Sequence, residues 1–115
     1  MPPVRFGYTL GTLTYAVPRI VVPHAELALV CRTWQVRRLS LFGSVLRDDF
    51  RDDSDVDVLV EFEVGSGASL FTLVSLRDAL SGLLGGRHID IVTPGALHPL
   101  LRDKILASAV TEFAA

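Results

Sequence analysis

An α/β (α+β) fold, a small mixed sheet flanked by helices, is the architecture this sequence predicts, on three observations. Short runs rich in valine, isoleucine and leucine end at charged or glycine-rich breaks, at 37–42, 55–63 and 88–92. Stretches with apolar residues at helical spacing surround them, at 23–35, 68–84 and 99–110. The 115 residues, half of them hydrophobic, suit a single domain with strands and helices in layers about one core.

Taken in order, residues 1–22 read as an N-terminal extension of unknown role, and 23–115 as the domain. In the extension Phe6, Tyr8, Leu10, Leu13, Tyr15 and Val17 have β-type composition, punctuated by Gly7, Gly11 and Pro18. A helix is expected over Pro23–Gln35, with Pro23 at its first position and Leu27, Val30, Cys31 and Trp34 on one apolar face. On that face Cys31 reads as a buried small hydrophobe and Trp34 as a core anchor. A strand, Arg37–Phe42, ends at Gly43. Val45–Phe50 is expected as a short helix, Arg51–Ser54 as a charged loop and Asp55–Glu63 as the second strand. Gly65-Ser66-Gly67 forms a turn. Ala68–Leu84 is a long helix with Leu70, Leu73, Val74, Leu80 and Leu84 broadly on one face, stopped by Gly85 and Gly86. His88–Val92 is the third strand, broken by Thr93-Pro94-Gly95, and Pro99–Val110 the last helix. The tail Thr111–Ala115 either extends that helix or forms a short edge strand.

Charge and composition exclude several classes. With 11 basic and 13 acidic residues the net charge is −2, so direct nucleic-acid binding by phosphate neutralisation is not expected. The single cysteine excludes an internal disulfide framework and suits a reducing compartment. Pro18 and Pro23 interrupt any export-type apolar run, and no stretch approaches the roughly 20 residues needed to span a bilayer. A cytoplasmic protein without membrane contact is expected.

Chemistry concentrates between Leu41 and Phe62, LFGSVLRDDFRDDSDVDVLVEF. Alternation along the second strand puts Val56, Val58, Val60 and Phe62 on one face, and Asp55, Asp57, Leu59 and Glu61 on the other. Two carboxylates on one face of an apolar strand repel, and one pKa rises. A divalent cation relieves this, and oxygen ligands suit Mg²⁺. Asp90, inside the third strand, completes a three-carboxylate cluster if that strand neighbours the second; His88 shares its face and reads as a packing or hydrogen-bonding residue. Gly43 lets the backbone approach a ligand closely, and Ser44, at the following helix start, can cap that helix or donate to a phosphate. An isolated Asp-x-Asp more often caps a loop, and an isolated Gly-Ser more often starts a helix. The two at fixed spacing, with a later strand aspartate, are far more specific. His24 and His98 read as helix-start residues, Arg102 and Lys104 as a solvated helix face, and Asp48–Asp53 as a solvated loop.

Gly43-Ser44, a ten-residue spacer and Asp55-x-Asp57 match the signature of the DNA polymerase β-like nucleotidyltransferase superfamily. The short length and the phrase above resemble its minimal nucleotidyltransferase (MNT) branch, which includes antitoxins paired with HEPN-domain toxins. The resemblance covers about 39–110 and implies the polymerase β-like fold. By it, Gly43 and Ser44 hold nucleotide phosphates, and Arg47 touches phosphate or partner. Asp55, Asp57 and Asp90 are the catalytic, metal-binding set for two Mg²⁺ ions. The implied reaction is Mg-dependent transfer of AMP from ATP to a hydroxyl of a partner protein, a HEPN toxin. A non-catalytic antitoxin acting by occlusion, and an aminoglycoside-type small-molecule adenylyltransferase, stay open as alternatives, as does homo-oligomerisation. Two departures stand out: Val45 where relatives often carry Arg, with loss of a basic contact expected, and Asp48 where they often carry Gly.

Overall fold

The computed structural model describes residues 8–10, 13–15 and 18–115. A short antiparallel ribbon joins β1 (Tyr8–Leu10) to β2 (Leu13–Tyr15). The body then runs α1 (His24–Thr33), β3 (Val36–Phe42), a 3-10 turn (Gly43–Leu46), β4 (Val56–Phe62), α2 (Leu70–Leu83), β5 (Ile89–Val92), a second 3-10 turn (Pro94–Ala96), α3 (Pro99–Ser108) and β6 (Val110–Ala114). Its sheet has the order β5-β4-β3-β6. β3 is antiparallel to β4 and β6, whereas β4 and β5 are parallel, so the sheet is mixed as the sequence predicts. A parallel pair needs a long crossover, and α2 supplies it.

Alternation decides the core. Leu39 and Leu41 on β3 lie opposite Val60 and Val58 on β4, and all four are buried. Val56 and Ile89 join them, and α1 and α2 cover that face with Leu27, Cys31, Leu76 and Leu80. Cys31 is fully buried and burial pushes its thiol up to about 11, so it is the inert hydrophobe its position predicts. No described helix is long and apolar enough to cross a membrane.

Several elements differ from the sequence reading, each for a local reason. α1 is shorter than Pro23–Gln35: Pro23 caps it, and Gln35 takes a left-handed φ of 57° that ends the helix before β3. The expected helix over Val45–Phe50 is a single 3-10 turn beginning at Gly43, because Val45 alone is fully buried and Arg47 is already extended. α2 starts behind a reciprocal cap, with the Thr72 amide donating to the Ser69 hydroxyl and the Ser69 amide to the Thr72 hydroxyl. Its buried face is Leu76 and Leu80, backed by Leu83 and Leu84, while Leu70 and Val74 are exposed. The sequence LFTLVSLRDALSGL carries apolar residues all round, so periodicity does not single out that face. The last helix stops at Ser108, because Ala109 is extended and Val110–Ala114 pairs with β3; the tail is the edge strand, with Phe113 buried.

Within the expected extension, residues 1–7, 11, 12, 16 and 17 lie outside the described residues. At its C-terminal end Pro18 and Val22 are buried, and the Arg19 amide donates to the Val45 carbonyl at 2.8 Å, so residues 18–22 pack on the body.

Leu76, fully buried between α2 and the sheet, tests this core. Leu76→Ala should cost about 2–5 kcal/mol in a denaturant titration. A loss under about 1 kcal/mol would remove Leu76 from the core.

Candidate active site

Because Val56, Val58 and Val60 turn into the core, Asp57 emerges on the opposite face of β4. Strand register lines it up with Phe42 on β3 and with Asp90 on β5. The neighbouring strands of the sequence reading are therefore adjacent, and the two aspartates are direct partners. Gly43 follows Phe42 with φ +77°, and a Cβ built there would lie 2.3 Å from Asp57 Oδ2. Two independent constraints thus require glycine, a left-handed backbone and contact of that backbone with a carboxylate.

Burial raises the Asp57 pKa, the charges of Asp90 and Asp55 raise it further, and Arg47 opposes them. Asp55 lies just before β4 with its carboxylate 3.4 Å from His88 Nδ1, so the His88 imidazole is a neighbour of the cluster. Arg47 is exposed and paired with Asp49 at 3.2 Å, while its charge still reaches Asp57. Of the two roles open to Ser44, capping is not the one it takes. It lies inside the 3-10 turn, which has no side-chain cap, and its hydroxyl donates to the Asp55 carbonyl at 3.4 Å.

Among the described residues no three His, Cys, Asp or Glu side chains close a metal cage by themselves. Mg²⁺ does not need one. It commonly takes one or two carboxylates and fills its shell with water and substrate phosphates. A half-buried Asp57 whose pKa is raised by burial and by the charges of Asp90 and Asp55, beside a glycine turn, suits a divalent cation shared with a polyanionic substrate.

At Val45, where relatives often carry Arg, the side chain is fully buried and joins the core. Asp48 pairs with Arg19. Lys104 is exposed, as expected of a solvated face, and it also lines a cleft of about 440 Å³ with Gly43, Leu46, Arg47, Leu101 and Ile105. The signal for it was present: residues 101, 104, 105 and 108 share one side of α3, so Lys104 belongs to the apolar side. Arg102 turns the other way and donates to the Leu97 carbonyl at 3.3 Å. A second cleft, of about 230 Å³, joins Leu70, Val74 and Arg77 of α2 to His88 and Asp90 at the β5 edge.

Comparison with known proteins places this arrangement. The sequence model of the nucleotidyltransferase domain family matches residues 27–111. A candidate protein adenylyltransferase of Methanocaldococcus jannaschii is 47% identical over 75 residues, covering 65% of this chain and 77% of that protein. The protein adenylyltransferase MntA of Thermococcus cleftensis is 37% identical over 75 residues, covering 65% of this chain and 73% of its own length. Among solved structures, a candidate minimal nucleotidyltransferase superposes with TM-score 0.62 at 44% identity, covering 75% of this chain and 84% of that one. A toxin–antitoxin crystallised with AMP-PNP superposes with TM-score 0.63 at 14% identity, covering 82% and 75%, a likeness of fold.

The raised pKa has a signed consequence. A carboxyl whose folded pKa lies above its unfolded one stabilises the fold below the unfolded pKa, and that contribution is lost as pH rises through the folded value. Ionised Asp57 is therefore unfavourable at neutral pH without a cation. Asp57→Asn should melt higher than the wild type in chelator at neutral pH, with the gain shrinking in acid. A gain that is constant across pH would contradict the electrostatic cause.

Proposed function

The chain belongs to the nucleotidyltransferase domain family, and from that premise we propose that it is a protein adenylyltransferase of the minimal branch. It moves AMP from ATP to a side-chain hydroxyl of a partner protein, a HEPN-type toxin, in the cytoplasm. The observation that carries the reading is the in-register Asp57–Asp90 pair with Gly43 against Asp57. The names of the relatives, protein adenylyltransferases, support the reaction type. The toxin–antitoxin that shares the fold was crystallised with an ATP analogue, which supports the nucleotide and the kind of partner.

Each residue has a chemical task in this reading. The Gly43 turn lets a triphosphate lie against backbone, because no Cβ stands between it and Asp57. Ser44 offers a hydroxyl beside that turn. Arg47 and Lys104, on the cleft next to Gly43, supply positive charge to phosphate oxygens, and Phe42, Leu46, Leu101 and Ile105 offer apolar surface to the nucleoside. Asp55, Asp57 and Asp90 would hold Mg²⁺, which when bound neutralises phosphate charge and lowers the pKa of a nearby hydroxyl. Asp90, exposed on the edge strand, is placed to accept the proton of the acceptor hydroxyl. The hydroxyl oxygen bonds to the α-phosphorus, the bond from that phosphorus to the bridging oxygen breaks, and pyrophosphate leaves with the electron pair.

The test is transfer of labelled AMP from ATP to the partner protein. Losing several kcal/mol of charge stabilisation at the site corresponds to a fall of about 10²–10³-fold in Asp57→Ala. Its thermal melt should stay at or above that of the wild type. Undiminished transfer would refute the site.

A further inference from the structure

Beyond the 3-10 turn that ends at Leu46, the spacer that leads to Asp55 should be a poorly held loop. It carries Asp48, Asp49, Asp52 and Asp53, and Arg51, Asp52 and Asp53 are exposed. Its one sizeable apolar group is Phe50, which is only partly buried. Yet the loop must deliver Asp55 next to Asp57 and Asp90. Within the loop the Ser54 amide donates to the Arg51 carbonyl at 3.1 Å, and the Arg51 amide to the Ser54 hydroxyl at 2.9 Å. These bonds shape the loop but do not attach it to the domain.

Apart from the Arg19–Asp48 pair near its start, the attachment comes from Arg87, in the link between α2 and β5. Its Nη1 donates to the carbonyls of Arg51 at 2.9 Å, Asp52 at 3.1 Å and Ser54 at 3.5 Å. Its guanidinium carbon lies 4.6 Å from the centroid of the Phe50 ring. The side chain is 18% exposed, so these contacts are substantially shielded from water. The ion pair with Asp52, at 3.8 Å to a fully exposed carboxylate, adds little. Three carbonyls and an aromatic face make a receptor for a flat cation with several donors. Lysine matches its charge but not its fork or its stacking plane.

Contacts continue from Arg87 toward the site. The carbonyl of the next residue, His88, accepts from the Val56 amide at 2.9 Å, and its imidazole lies beside Asp55. Two residues on, Asp90 pairs with Asp57. Residues 51–57 and 87–90 are therefore fastened together along their length, with Arg87 at the far end. We infer that Arg87 is a positioning residue that clamps the spacer loop and so sets where Asp55 stands relative to Asp57 and Asp90. This rests on the adenylyl-transfer reading, which assigns those three carboxylates a shared cation.

Groups that orient ligands from behind typically contribute 10–100-fold to metal affinity. Mn²⁺ uptake in the presence of AMP-PNP, read from the electron paramagnetic resonance signal of free Mn²⁺, is independent of any acceptor. Arg87→Ala should raise the half-saturating Mn²⁺ concentration about 10-fold. Arg87→Lys and Phe50→Leu should move it in the same direction, and these milder variants serve if Arg87→Ala does not fold. Added guanidinium ion should draw Arg87→Ala back toward the wild type and leave Phe50→Leu unmoved, a rescue that a merely structural role would not produce. Values for folded Arg87→Ala and Arg87→Lys within about twofold of the wild type would overturn the inference. Wild-type protein that takes up no Mn²⁺ with the nucleotide would overturn the active-site reading itself, and this inference with it.

Discussion

Hydrophobic burial along β4 and β5 is the interaction on which the rest depends, because it sets Asp57 and Asp90 face to face across a parallel strand pair despite their repulsion. The register that pairs them is not chosen by the carboxylates. Slipping β5 by one residue would send Asp90 into the core and put Ile89, now buried, into water. Burial of Ile89, Val56, Val58 and Val60 at about 1.5–3 kcal/mol each outweighs a repulsion of about 1–4 kcal/mol for carboxylates a few ångströms apart near a surface. Hydrophobic register thus holds charges where they would not settle by themselves, and a cation becomes the natural complement of the folded chain.

The same coupling of core to site governs the turn after β3. Val45 is sunk in the core and its carbonyl accepts from Arg19, while two residues earlier Gly43 lies against Asp57. The turn is wedged between the hydrophobic layer and the acidic face, so its backbone cannot retreat from whatever binds there. Val45 therefore serves this turn as a core residue.

Much of this was legible in the residues. Strict alternation in VDVLVEF fixes which side the aspartates take, and the glycine pair after Leu84 marks the crossover into the third strand. What could not be read depends on packing around elements whose patterns are ambiguous. α2 is apolar on most sides, so spacing favours Leu70 and Val74 where the structure buries Leu76. Val45 looks like a lost charge when side-chain types are compared, and its burial appears only once the turn is folded. Lys104 looks like any surface lysine until α3 is set beside Gly43. Arg87 carries no local signal at all, since its partners are backbone carbonyls more than thirty positions away.

For the proposed reaction, sheet order keeps the two substrates apart. In the order β5-β4-β3, the cleft beside Gly43 with Arg47 and Lys104 lies toward β3, and Asp90 lies on the outermost strand. The smaller cleft that includes Asp90 opens toward α2 instead. Phosphoryl-type displacement needs attacker and leaving group roughly in line on opposite sides of phosphorus. In the proposed reaction, a nucleotide over Gly43 and a hydroxyl at the β5 edge would meet that demand without crossing each other's path. Had β5 been internal, Asp90 would have been flanked by strands on both sides, and a protein acceptor would have had no edge from which to approach it.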